Sequence, residues 1–129
     1  MDAAKLDEAP LFAPLHEDAK QELAEHVNDV TVDSGKHLVD QGDPAYNLFV
    51  ILKGKAEVYR DGHSVAELGP GDFFGEMGTV QEIPRSATVV SKGQMRLLTL
   101  SARDVQRLKE KAPEVLDELE QAIEERSET

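Results

Sequence analysis

The sequence contains no cysteine and no tryptophan, and only 5% of its 129 residues are aromatic. Without thiols there is no disulfide framework, thiolate zinc site, cysteine nucleophile or thiolate-held iron–sulfur cluster. Basic residues are scarce beside acidic ones. Fourteen Lys and Arg against 26 Asp and Glu leave a formal net charge of −12, which repels nucleic acid and anionic lipid from any surface lacking a local basic patch. Long apolar runs are missing too: the longest, Leu48-Phe49-Val50-Ile51-Leu52, is far too short to span a bilayer, and Met1 to Glu8 hold no apolar stretch of the targeting kind. The expectation is a cytoplasmic protein that partners neither nucleic acid nor membrane.

With 40% hydrophobic and 31% charged residues, the composition is that of a globular chain. Its length suits one core. Residues 1 to 10 are small and charged and read as a loose, flexible lead-in, leaving 11–129 as the domain. Leu15, Ala19, Leu23 and Val27 recur at every fourth position and predict an amphipathic helix with Pro14 in its first turn.

From Thr31 the pattern changes to short runs of Val, Leu, Ile and Tyr, broken by Asp33-Ser34-Gly35, Gln41-Gly42-Asp43-Pro44, Lys53-Gly54, Asp61-Gly62 and Gly69-Pro70-Gly71-Asp72. Such punctuation predicts strands and turns. Tyr46, Leu48, Val50 and Leu52 fall on one face of a strand whose other face carries Phe49 and Ile51, so both sides should be covered. Asp61-Gly62 predicts a tight hairpin between 56–59 and 63–68. Further strands are expected at 87–90 and 95–100.

Ser101 followed by Asp104 resembles a helix-capping box, Pro113 interrupts the helix that follows, and a last helix carries Val115, Leu116, Leu119 and Ile123 on one side. The predicted order is one helix, about eight short antiparallel strands, then two helices.

The most specific stretch is Leu68-Gly69-Pro70-Gly71-Asp72-Phe73-Phe74-Gly75-Glu76-Met77-Gly78, followed by Pro84-Arg85-Ser86-Ala87-Thr88-Val89. Gly75 opens bare backbone whose amides favour an anion. Arg85, nine positions after Glu76, offers a planar fork of donors, and the Glu76 carboxylate accepts from hydroxyls. Read alone, Arg85 is equally a solvated arginine after a turn, and Glu76 a partner for a helix dipole. Together they suit a ligand carrying both phosphate and hydroxyl, as a ribose phosphate does.

At this point the sequence resembles the cyclic nucleotide-binding domain of cAMP-dependent kinase regulatory subunits, cyclic nucleotide-gated channels and catabolite-activator proteins, over roughly residues 11 to 126. The Gly35 turn, Gln41-Gly42-Asp43, Tyr46, the Lys53-Gly54 turn and the Glu76-to-Arg85 spacing carry the likeness. The resemblance implies an eight-stranded, jelly-roll-like β-roll with a phosphate-binding cassette spanning Phe74 to Thr88. In it Arg85 pairs with the cyclic phosphate, Glu76 holds the ribose 2′-hydroxyl, and amides near Gly75, Met77, Gly78, Ser86 and Ala87 complete the contacts. It also implies that Leu116, Leu119 or Ile123 closes over the base.

Gly78 departs from the Ala of many kinase and channel domains and looks like the catabolite-activator version. With no output domain expected beyond Thr129, the expected role is a stand-alone sensor of cAMP, with cGMP as the alternative ligand, acting on an effector protein in trans. The ligand is the only small molecule expected, with no cofactor. His16, His26, His37 and His63 lack the His-x-His spacing of a metal-binding cupin barrel, so no metal is expected, and without a convincing nucleophile beside a base no catalysis is expected either. The rival reading is a ligand-free β-roll that docks a protein through its terminal helices.

Overall fold

Apolar side chains on both faces of one strand oblige it to lie between two layers, and the residues around Val50 do so. The computed structural model describes residues 2–42, 47–75 and 87–127. A 3₁₀ helix at Ala3–Glu8 and helix α1 (Glu17–Ala24) precede eight strands: β1 (Asn28–Val32), β2 (His37–Val39), β3 (Leu48–Lys53), β4 (Ala56–Arg60), β5 (His63–Leu68), β6 (Phe73–Gly75), β7 (Thr88–Ser91) and β8 (Met95–Leu100). Helices α2 (Ala102–Lys111) and α3 (Pro113–Ser127) follow. The strands form two four-stranded sheets, ordered β1-β8-β3-β6 and β2-β7-β4-β5, and every pairing is antiparallel. This is the mainly β architecture with an N-terminal helix and two C-terminal helices that the sequence predicts. The predicted β3 residue Tyr46 lies outside the described residues.

Alternation along β3 divides the molecule into two cores. Phe49 and Ile51 join Val39, Ala56, Val89, Met95 and Leu97 between the sheets. Leu48 and Val50 face the other way, into a cluster with Leu98, Leu100 and the helices. The Asp61-Gly62 hairpin forms as expected, with φ of 54° and 82° at its two residues, the left-handed pair that matches the twist of the flanking strands. Gly54, in the turn from β3 to β4, has φ of 89°, and a Cβ there would lie 2.6 Å from the Gln94 carbonyl oxygen and 2.9 Å from Met95 Cγ.

The first ten residues differ from the expected loose lead. Leu6 and Ala9 are fully buried in the helical cluster beside Leu11 and Phe12. Their backbone turns are closed by bonds from Ala9 N–H to the Leu6 carbonyl (3.1 Å) and from Phe12 N–H to the Ala9 carbonyl (3.0 Å). Asp7 accepts a 2.7 Å bond from the buried Lys20 ammonium. Two apolar residues among charges give no helical period, so only the tertiary surface offered by the helices reveals why they order. Pro14 likewise lies ahead of α1 rather than in its first turn. The predicted apolar stripe of that helix is buried throughout.

On the outer side of the first sheet, Arg96 forks onto Asp29, with Nε 3.0 Å from Oδ1 and Nη2 2.6 Å from Oδ2. Lys5 Nζ adds a contact to Asp29 at 3.4 Å. Hydrogen bonding from Arg96 holds the Asp29 carboxyl below the usual carboxylate range. At the C-terminal side, Ser101 caps α2 by accepting from Asp104 N–H at 3.3 Å, as the capping pattern predicts. The α2 and α3 axes are separated by Ala112, whose φ of −147° and ψ of 69° are not helical.

Candidate ligand site at the mouth of the β-roll

The core between the sheets is graded along its length. At one end Ile51, Leu97 and Ala56 have no solvent exposure. Toward the other end Phe49 is still buried, whereas Phe74, Val58 and Ala87 are only half-buried. The strand registers place these together: Phe49 is opposite Phe74 in the first sheet, and Val58 is opposite Val89 in the second. The Phe49 and Phe74 rings stack at 5.0 Å with an interplanar angle of 10°. These half-buried residues border the inter-sheet core where β6 ends and β7 begins.

The same end anchors the candidate cassette. Strand β6 is the edge of the first sheet and ends at Gly75; β7 starts at Thr88 inside the second. The connection from β6 to β7 therefore links the two sheets. Phe74, Gly75 and Ala87 are placed at its two ends. Glu76, Met77, Gly78, Arg85 and Ser86 lie outside the described residues, as does Pro84.

A polar brace that sequence reading did not assign holds the rim. Gln41 N–H donates to Thr88 Oγ1 at 2.9 Å. The Gln41 side-chain amide donates to Asp61 Oδ1 at 2.9 Å, and its oxygen accepts from Asp61 N–H at 2.9 Å. One residue thus ties the β2–β3 loop, the β4–β5 hairpin and the start of β7. The signal was a long amide side chain in a glycine turn, but its partners are 20 and 47 positions away.

The expected lid residues are placed elsewhere. Leu116 and Leu119 are buried in the helical cluster with Val115 and Ala122, and Ile123 packs against it. None of them belongs to the inter-sheet cluster. The apolar stripe meets a surface built by the first fifteen residues and α1, which a reading that left those residues loose could not supply. Glu118 secures the contact, accepting from His16 N–H at 2.9 Å and meeting His16 Nδ1 at 2.6 Å. Those bonds, the backbone one foremost, lower the Glu118 pKa.

Comparisons with known proteins identify the family. The family model described as cyclic nucleotide-binding domain matches residues 29–112. The chain belongs to the cyclic nucleotide-binding domain family. It is 32% identical over 105 residues to a cAMP-dependent protein kinase regulatory subunit of Yarrowia lipolytica, covering 80% of this chain and 28% of that protein. It is 35% identical over 117 residues to a cyclic nucleotide-gated potassium channel of Rhizobium etli, covering 91% of this chain and 33% of the channel.

Among solved structures, the N-terminal domain of a transcriptional regulator from Streptomyces coelicolor superposes with a TM-score of 0.76 at 32% identity, covering 99% of this chain and 94% of that one. This cyclic nucleotide-binding domain spans about a third or less of the length of those two curated relatives. Among the described residues no helix is long and apolar enough to cross a membrane.

Proposed function

We propose that this cyclic nucleotide-binding domain is a sensor that takes cAMP in preference to cGMP at the mouth of its β-roll. The observation carrying the reading is that β6 ends and β7 begins beside the half-buried residues Phe74 and Val58 of the inter-sheet core, at either end of the one stretch of sequence that pairs Glu76 with Arg85. In this reading Arg85 meets the cyclic phosphate with its planar fork. Glu76 accepts from the ribose 2′-hydroxyl, and the amides of Gly75, Met77, Gly78, Ser86 and Ala87 face the phosphate oxygens. Val58 and Phe74 offer an apolar surface to the purine. The preference for cAMP is supported by the names of relatives such as the Yarrowia lipolytica subunit.

The nucleotide is read, not transformed, and the signal leaves through α2 and α3 to an effector protein. Two features support that route: the non-helical Ala112 between the helices, and the attachment of α3 to the N-terminal segment through Glu118 and His16. A ligand moves such an equilibrium only by binding one arrangement more tightly than the other. Nucleotide-stripped protein titrated separately with cAMP and cGMP should bind both ligands, cAMP more tightly. Absence of binding to either overturns the reading. Hydrogen exchange with and without cAMP should change protection in 101–126; unchanged protection there indicates a rigid binder.

A further inference from the structure

The end of α1 holds a second group of chemistry-bearing side chains, on the helical side of the first sheet and apart from the mouth of the roll. Glu22, Glu25 and His26 each bring one ligand atom to within 4.8 Å of the others. His26 Nε2 and Glu22 Oε1 are 3.7 Å apart and both atoms are buried; the imidazole nitrogen has no hydrogen-bond partner among the described residues, whereas the carboxylate oxygen is met by the Lys111 ammonium. Burial of polar atoms without such partners is uncommon in folded proteins and asks for an explanation. The other imidazole nitrogen, Nδ1, lies 3.8 Å from Asp104 Oδ1 on α2. Asp104 is itself held by Ser101 Oγ at 2.9 Å and faces Arg107 Nη1 at 3.5 Å.

These positions have the order of a metal centre: a free imidazole nitrogen facing inward, carboxylates around the same point, and a further carboxylate behind the imidazole. Two ligand atoms each about 2.1 Å from a tetrahedral ion lie roughly 3.4 Å apart, close to the separation of His26 Nε2 from Glu22 Oε1. The cation now answering the carboxylates is Lys111, whose Nζ stands 3.2 Å from Glu22 Oε1 and 3.5 Å from Glu25 Oε2. Its side chain is 62% exposed and can swing into water.

We propose that Glu22, Glu25 and His26 bind a divalent transition-metal ion of the zinc class, with water completing the shell and the Lys111 ammonium displaced. Imidazole with carboxylates suits zinc, whereas magnesium and calcium seek oxygen ligands alone. A metal on Nε2 fixes the proton on Nδ1, where it faces Asp104. The ion would thereby join the end of α1 to the first turn of α2. The expectation of no metal rested on missing His-x-His pairs; here the histidine, two residues past α1, has glutamate partners in the last turn of that helix and at its C-cap.

Zinc chloride titrated calorimetrically into the full chain tests the site. The wild type should bind a single ion, His26→Gln should weaken binding by more than about tenfold, Lys111→Met should tighten it, and the surface control Asp18→Asn should leave it unchanged. In long-range proton–nitrogen spectra of the wild type, zinc should shift the His26 Nε2 resonance and spare His16, His37 and His63. Equal affinity in His26→Gln, shifts at another histidine instead, or no binding up to millimolar zinc would each overturn the proposal. Should His26→Gln fail to fold, the wild-type spectra decide.

Discussion

Gly54 and Gly62 share a backbone conformation and differ in their surroundings, which allows two costs to be separated. Their φ values are 89° and 82°, so an alanine at either position is strained by its own backbone. That strain is worth about 1–2 kcal/mol. At Gly62 the added Cβ meets nothing within 4 Å, so the strain is the whole cost. At Gly54 the Cβ would lie 2.6 Å from Gln94 O and 3.0 Å from Met95 Cα, both backbone atoms of the turn into β8. Those atoms cannot rotate away, and relief requires shifting the closed end of the roll, at about 1–3 kcal/mol more.

Gly62→Ala is therefore expected to lower unfolding free energy by about 1–2 kcal/mol and Gly54→Ala by about 2–5 kcal/mol. Urea unfolding of both variants, read from midpoints at unchanged m-values, makes the comparison. Equal losses would refute the assignment of the extra cost to the close approach at Gln94 and Met95.

Two further expectations concern the packing and charge around the roll. Leu119→Ala removes a fully buried side chain from the helical cluster and should cost about 3–4 kcal/mol. Amide exchange should then accelerate in α3 and leave β3 and β8 protected; uniform acceleration would contradict the division into two cores. Asp29 has a lower pKa folded than unfolded because Arg96 hydrogen-bonds its carboxylate, so its contribution to stability is complete above the unfolded value and is lost as pH falls through the folded one. Asp29→Asn should reduce stability at pH 7 and flatten the decline from about pH 4.5 downward; an unchanged pH profile would show that the pair does not matter.

Local patterns reported local structure well. Strict alternation in β3 announced a two-sided strand because each face meets a different core, and Asp61-Gly62 announced its hairpin because few residue pairs tolerate that turn. Ser101 and Asp104 announced a helix start for the same short-range reason. What escaped depended on distant surfaces. Leu6 and Ala9 order only against α1 and the C-terminal helices, and the α3 stripe could have met either core until that surface was known. Gln41 became a brace only once the fold brought Thr88 and Asp61 to it. At the candidate site, the motif from Phe74 to Ala87 was legible as a sequence, and its two ends are placed where β6 ends and β7 begins.

The central claim is that the segment between β6 and β7 reads a cyclic phosphate through Arg85. Calorimetric titration of cAMP into nucleotide-stripped wild type and Arg85→Ala tests it most directly. A guanidinium lost from a phosphate contact should weaken binding by about 2–5 kcal/mol, roughly thirtyfold to several thousandfold. Equal affinity of the two proteins would remove Arg85 from the site and contradict the account.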